Sequence, residues 1–162
     1  LLYPTPFELH FSIAHLAWYN ASPRDYVLKM NGTDRDLAAH ATVLYHRGRC
    51  LWGEEIRSVF APVDEKAYWD SIVSDVERAE EDILDAPVYT TLNLCRVLAY
   101  KKEKLILSKR EGGEWGMVNV PKRYGALIQS ALGDYASGTQ STPDEPLARE
   151  YAGYMLRSIL AV

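Results

Sequence analysis

From Asp64 to Leu160 the apolar residues of this chain recur at three- and four-residue intervals and hardly ever alternate, so helices are the elements that can bury them on one side. The clearest case is the stripe Ala67, Tyr68, Ile72, Val76, Ala79 and Ile83, opposite a face carrying Asp75, Glu77, Arg78, Glu80, Glu81 and Asp82. Asp64 is placed to cap it. Pro87 opens a second helix with Leu94, Val97 and Leu98 on its core face, ending in Lys101-Lys102-Glu103-Lys104, where cations suit the negative helix end. Gly112-Gly113 is expected to break the chain before a short helix around Trp115 and Val118. Pro121 starts a helix through Tyr124, Leu127, Ile128, Ala131 and Leu132 that closes at Gly133 or Gly138, and a last one carries Leu147, Tyr151, Tyr154, Met155, Ile159 and Leu160. Upstream, Asp34 or Asp36 can cap a helix through Leu37, Ala41, Leu44 and Tyr45 to Gly48, and a shorter one from Glu54 to Phe60 stops at Ala61-Pro62. Only Phe7 to Tyr19, apolar at both spacings, reads as a strand or as an unusually apolar helix. The expected fold is all-α, a bundle of about five to seven helices whose short connections make most neighbours antiparallel. It is read as a single domain over residues 1–162, with residues 1–6 as the remnant of a linker.

At 162 residues and 48% hydrophobic content the chain can build one proper core. Lys and Arg total 18 against 22 Asp and Glu, a formal charge of −4, so no basic field draws nucleic acid and none is expected as a partner. No uninterrupted apolar run of about eighteen residues exists, and no membrane partner is expected. Two cysteines, Cys50 and Cys95, suit a reduced cytoplasmic protein, each packed as a small hydrophobe. Asn20-Ala21-Ser22 and Asn31-Gly32-Thr33 spell the glycosylation sequon, but without a signal segment they read as turn and capping residues.

Two cations stand out in apolar surroundings. Arg96 lies inside Leu92-Asn93-Leu94-Cys95-Arg96-Val97-Leu98-Ala99-Tyr100, and a buried guanidinium is costly unless acceptors meet it. It can pair with an acid between positions 75 and 85, or face a cleft and take a phosphate from outside the chain. Lys109 follows Leu105-Ile106-Leu107, and with Arg110 and the backbone amides near the two glycines it could hold an anion, or simply be solvated. Tyr135 can offer its phenol to an oxygen acceptor or pack its ring in the core.

Taken together, Tyr3-Pro4-Thr5-Pro6-Phe7-Glu8-Leu9-His10-Phe11-Ser12, Asp36-Leu37-Ala38-Ala39-His40, Leu51-Trp52-Gly53, Leu92 to Tyr100, Leu107-Ser108-Lys109-Arg110-Glu111-Gly112-Gly113-Glu114-Trp115, Val120-Pro121 and Tyr135 resemble the C-terminal helical domain of the aminoglycoside 3''-adenylyltransferases, the streptomycin and spectinomycin nucleotidyltransferases. That resemblance implies an antibiotic-resistance transferase that moves AMP from ATP to an aminoglycoside hydroxyl with Mg²⁺. It implies that Arg96, Lys109 and Tyr135 contact ATP phosphates and that acids shortly before the Arg96 helix, Asp82 and Asp85, hold ammonium groups of the antibiotic. The metal-binding carboxylates and the catalytic base belong, in that family, to a preceding nucleotidyltransferase domain, which is the implied protein partner. No Gly-Ser turn with an Asp-x-Asp follows in this sequence, and Asp34-Arg35-Asp36 is read as capping rather than metal binding. The chain is therefore expected to contain no catalytic or metal residue and to be inactive by itself.

Two other classes compete. One is a non-catalytic helical module that recognises a ligand or partner. The other rests on Arg35-Asp36-Leu37-Ala38-Ala39-His40, which has the Arg and His spacing of HEPN-type ribonucleases, although the net charge is unfavourable for RNA. Trp52, Trp69 and Trp115 could stack a sugar or base, with core or rim packing as the default.

Overall fold

The computed structural model describes residues 1–161. Its contacts gather in two compact units, one from Leu1 to Ser74 and one from Asp75 onward.

The first unit contains a ribbon of β1 (Thr5–Phe7) and β2 (Gly32–Asp34), paired antiparallel with Thr5 opposite Asp34, and five helices: α1 (Leu16–Ala21), α2 (Pro23–Lys29), α3 (Leu37–Arg47), α4 (Ile56–Val59) and α5 (Glu65–Ser74). The apolar segment from Phe7 is thus strand for its first residue and helix only from Leu16 on, after a 3-10 turn at Ile13–His15. Its aromatic residues surround the fully buried Tyr26, with the rings of Trp18, Tyr19 and Phe11 edge-on at 5.0, 5.5 and 6.0 Å. Asp64 starts α5 as expected, its Oδ1 accepting from the amides of Lys66 and Ala67. The start of α3 is different. Neither Asp34 nor Asp36 caps it through its side chain; Ser71 of α5 does, accepting from the Ala39 amide at 3.2 Å and donating to the Arg35 carbonyl at 2.6 Å. Asp34 instead takes the Asp36 amide at 2.7 Å.

The second unit contains α6 (Ala79–Asp82), α7 (Pro87–Glu103), α8 (Lys109–Asn119), α9 (Gly125–Ser137) and α10 (Glu145–Leu160). The long stripe read from Asp64 is not one helix, because α5 ends at Ser74 and α6 begins at Ala79, yet Val76, Ala79 and Ile83 stay buried. Helix α7 is the axis of this unit and packs against α8, α9 and α10. Enclosure by three helices explains why its sequence is apolar almost all round. Lys104 in the left-handed region at φ 57° ends it, and Gly138 at φ 70° ends α9.

Helix α8 corrects the sequence reading. Gly112-Gly113 does not break the chain: the helix starts at Lys109, where Ser108 and Glu111 form a capping box, and runs through both glycines. A Cβ at Gly112 would stand 2.5 Å from Arg96 Cγ, at Gly113 2.6 Å from Leu132 Cδ2 and 2.7 Å from Leu92 Cδ2, and at Gly116 2.5 Å from Cys95 Sγ. Bare backbone at these positions lets α8 lie directly on α7, which outweighs a propensity cost of about 1 kcal/mol per glycine. The resulting architecture is an all-α bundle with one small ribbon, and among the described residues no helix is long and apolar enough to cross a membrane.

Candidate functional site

On α7 the residues Tyr89, Asn93 and Arg96 follow at helical spacing and share one face. Arg96 is half-buried where α8 crosses it. Its Nε donates to the Leu107 carbonyl at 2.8 Å, tying down the connection into α8, and its Nη1 donates to Asn93 Oδ1 at 2.8 Å. Asn93, only 1% exposed, passes the contact on, since its Nδ2 donates to Asp75 Oδ2 at 3.0 Å. The other carboxylate oxygen, Oδ1, accepts the Tyr89 hydroxyl at 2.5 Å. Arg96 therefore reaches an acid of the 75–85 segment only through an amide, and among the described residues its Nη2 has no partner.

The capping box places Lys109 as the first residue of α8, beside this face. Its Nζ lies 4.7 Å from the centre of the Tyr89 ring and makes no hydrogen bond or ion pair among the described residues. Burial first, then the neighbouring Arg96 charge, lower the pKa of the Lys109 ammonium, with Asp75 acting in the opposite direction. The structure thus brings Arg96 and Lys109 together as two cations without a direct counter-ion. The amides near the two glycines play the smaller part, because α8 begins upstream of them and the Glu111 carboxylate already holds the Ser108 amide.

Tyr135 makes no hydrogen bond or ring contact with this pair among the described residues. It is on the last turn of α9 and 48% exposed. Asp82 and Asp85 do meet the cluster, across a cavity of about 270 Å³ lined by Asp75, Ala79, Asp82, Asp85, Ala86, Tyr89 and Thr90. Arg78 lies 3.9 Å from Asp82, and the side chain of Asp85 has no partner among the described residues. Three carboxylates in one small concavity make an environment for ammonium groups. Tyr89 and Asp75 form its wall on the side of the two cations. Asp75 is one of the acids between 75 and 85 expected to pair with Arg96, whereas Asn93 and Tyr89 carried no expectation from the sequence. The signal was the polar line at 89, 93 and 96 along an otherwise apolar helix.

Cys95 is buried beside Tyr151 and its thiol is pushed up to about 11 by that burial, whereas Cys50 is not in apolar packing, its Sγ lying 3.2 Å from the Glu54 carbonyl in a surface loop. Trp52 is 95% exposed, and Trp115 donates to Glu103 at 3.0 Å. Arg35 precedes α3 and donates to the Tyr3 hydroxyl, while His40 lies within the helix. No group of three or more His, Cys, Asp or Glu side chains forms a metal cluster among the described residues.

Residues 58–158 match the sequence pattern of the C-terminal domain of aminoglycoside adenylyltransferase. The chain belongs to this family. The matched stretch includes all of α7 to α9 and both cations. No curated protein matches the chain in sequence. Among solved structures it is similar to a crystal structure of spectinomycin adenyltransferase AAD(9) from Enterococcus faecialis with ATP and spectinomycin, at 14% identity and a TM-score of 0.75. That similarity covers 98% of this chain and 62% of the other, and at this identity it shows a shared fold.

Proposed function

We propose that this chain is the substrate-binding part of a cytoplasmic enzyme that transfers AMP from ATP to an aminoglycoside hydroxyl. The observation that carries the reading is the pair Arg96 and Lys109, adjacent, half-buried and without direct counter-ions, beside a cavity walled by Asp75, Asp82 and Asp85. ATP bound here supplies the adenylyl group: the acceptor hydroxyl oxygen bonds to the α-phosphorus as the bond to the α,β-bridging oxygen breaks, and the β- and γ-phosphates leave as pyrophosphate. The free Nη2 donors of Arg96 and the Lys109 ammonium bind phosphate oxygens and stabilise charge that builds on them, and Tyr135 adds its hydroxyl from α9. Asp82 and Asp85 orient a polycationic acceptor by its ammonium groups. The Mg²⁺-binding carboxylates and the base that activates the acceptor hydroxyl come from a nucleotidyltransferase domain partnered with this one.

The test uses the intact protein with ATP and a panel of aminoglycosides. Arg96→Ala and Lys109→Ala are expected to lower kcat/KM by about 10²-fold or more each, as removal of a charge-stabilising donor does, with an unchanged circular dichroism spectrum. Asp82→Asn with Asp85→Asn is expected to raise KM for the aminoglycoside more than KM for ATP. Unchanged turnover in both cation variants refutes the reading.

A further inference from the structure

We infer that Asp75 is a positioning residue for both cations, holding Arg96 through Asn93 and the ring beneath Lys109 through Tyr89; the inference rests on the phosphate-binding reading of that pair. Each carboxylate oxygen has one assigned donor, Oδ1 the Tyr89 hydroxyl and Oδ2 the Asn93 amide. Arg offers only donors and an ionised Asp only acceptors, so a residue bridging them must present both, as Asn does. Its orientation is fixed by that requirement: Oδ1 faces Arg96 and Nδ2 faces Asp75. Because Asn93 is buried, turning its amide over would set donor against donor and acceptor against acceptor with no water to relieve either.

The bridge has a chemical consequence. A carboxylate in direct contact with Arg96 would take the guanidinium fork and quench its charge. Through Asn93 the acid orients the guanidinium with a neutral acceptor and leaves Nη2 open. Lys109 is treated the same way, resting on a neutral aromatic face whose hydroxyl is pinned by the same acid. Both cations are thus held in place by uncharged groups, with the anion one link behind each. Asp75 does not touch the bound phosphate in this arrangement; it sets the geometry of the residues that do.

The experiment measures binding of inorganic tripolyphosphate and of ATP to the intact protein by calorimetry, with thermal unfolding as the control for fold. Asp75→Asn is expected to weaken tripolyphosphate binding about tenfold, the scale of one charge-assisted contact, while unfolding as cooperatively as the parent. Asp75→Glu is expected to recover most of that loss. Asn93→Asp, which puts a carboxylate directly on Arg96, is expected to weaken binding more than Asp75→Asn. The alkaline limb of tripolyphosphate binding is expected to move to lower pH in Asp75→Asn, because Lys109 has lost the charge that opposes the effects of burial and of Arg96. Tripolyphosphate affinity within twofold of the parent in both Asp75→Asn and Asn93→Asp overturns the inference, as does a loss that Asp75→Glu does not restore. Arg96→Ala and Lys109→Ala serve as references: if neither weakens tripolyphosphate binding, the phosphate-binding reading itself falls, and if both do while the Asp75 and Asn93 variants do not, only the positioning role falls.

Discussion

Two glycine-to-alanine substitutions in neighbouring helices are expected to change stability in opposite directions. Gly113 is buried in α8, and the new Cβ would stand 2.6 Å from Leu132 Cδ2 and 2.7 Å from Leu92 Cδ2. Ordinary carbon contacts begin near 3.5 Å, so the two leucines must retreat by about 1 Å between them and the backbone. Leu92 is fully buried in α7 and has nowhere to go without moving its own neighbours. Overpacking of this kind costs about 1–3 kcal/mol, against about 1 kcal/mol gained from the better helix propensity of alanine. Gly113→Ala is therefore expected to destabilise, by up to about 2 kcal/mol. Gly133 lies in α9 with no atom within 4 Å of its would-be Cβ, so only the propensity gain applies and Gly133→Ala should stabilise by about 0.5–1 kcal/mol. Urea unfolding followed by circular dichroism reads both as shifts of the midpoint at constant slope. Gly112→Ala adds a functional readout, because its Cβ would stand 2.5 Å from Arg96 Cγ and 3.2 Å from the Arg96 backbone nitrogen, so tripolyphosphate binding should weaken along with stability. A Gly113→Ala protein as stable as the parent would refute the close-contact explanation of the glycine pair.

Thr91 is completely buried and its Oγ1 has no hydrogen-bond partner among the described residues, so Thr91→Val should stabilise by about 1 kcal/mol, seen as a higher urea midpoint, since an unmet hydroxyl is replaced by a methyl of similar shape. Asp134 accepts from the Ser141 amide and from the Thr139 and Ser141 hydroxyls, and these contacts, the amide first, lower its pKa. Its folded pKa lies below its unfolded one, so the stabilisation is present above the ordinary carboxylate range and lost as pH falls through the folded value; Asp134→Asn should flatten the acid limb of a midpoint-against-pH curve. Burial keeps the Cys95 thiol protonated, with a pKa near 11, so a thiol reagent at neutral pH should label Cys50 quickly and Cys95 only at the rate of unfolding, read by mass spectrometry.

What could be read in the sequence follows from how local each determinant is. Helices α3, α5, α7, α9 and α10 repeat their apolar residues within one or two turns, and α7 and α10 also carry proline in their first turn, so periodicity and punctuation located them. Glycine at 112 and 113 carries the opposite local message, since intrinsic propensity argues for a break, and only the approach of α7 reveals that the missing side chains are what packing demands. The start of α3 is legible, with Asp36 at the N-cap position, but the side chain that meets its first turn, Ser71, comes from another helix of the same unit and has no local signal. The interruption between α5 and α6 was hidden because Val76 keeps the stripe in register and stays buried outside either helix.

The candidate site divides along the same line. An arginine in the middle of an apolar helix is a local anomaly, and it pointed to Arg96 without any knowledge of the fold. What makes that arginine useful is not local: its burial is tolerable because the Leu107 carbonyl and Asn93 satisfy two of its donors, and it stays open because the acid behind Asn93 comes from outside the helix, at position 75. The α7–α8 connection does both jobs at once, since the carbonyl that anchors Arg96 sits two residues before Lys109 and so sets the second cation beside the first. A substitution that loosens the helix pair should therefore weaken stability and anion binding together, while one that only removes the Asp75 charge should separate them, and that contrast distinguishes a site built into the packing from a pair of cations that merely lie near each other.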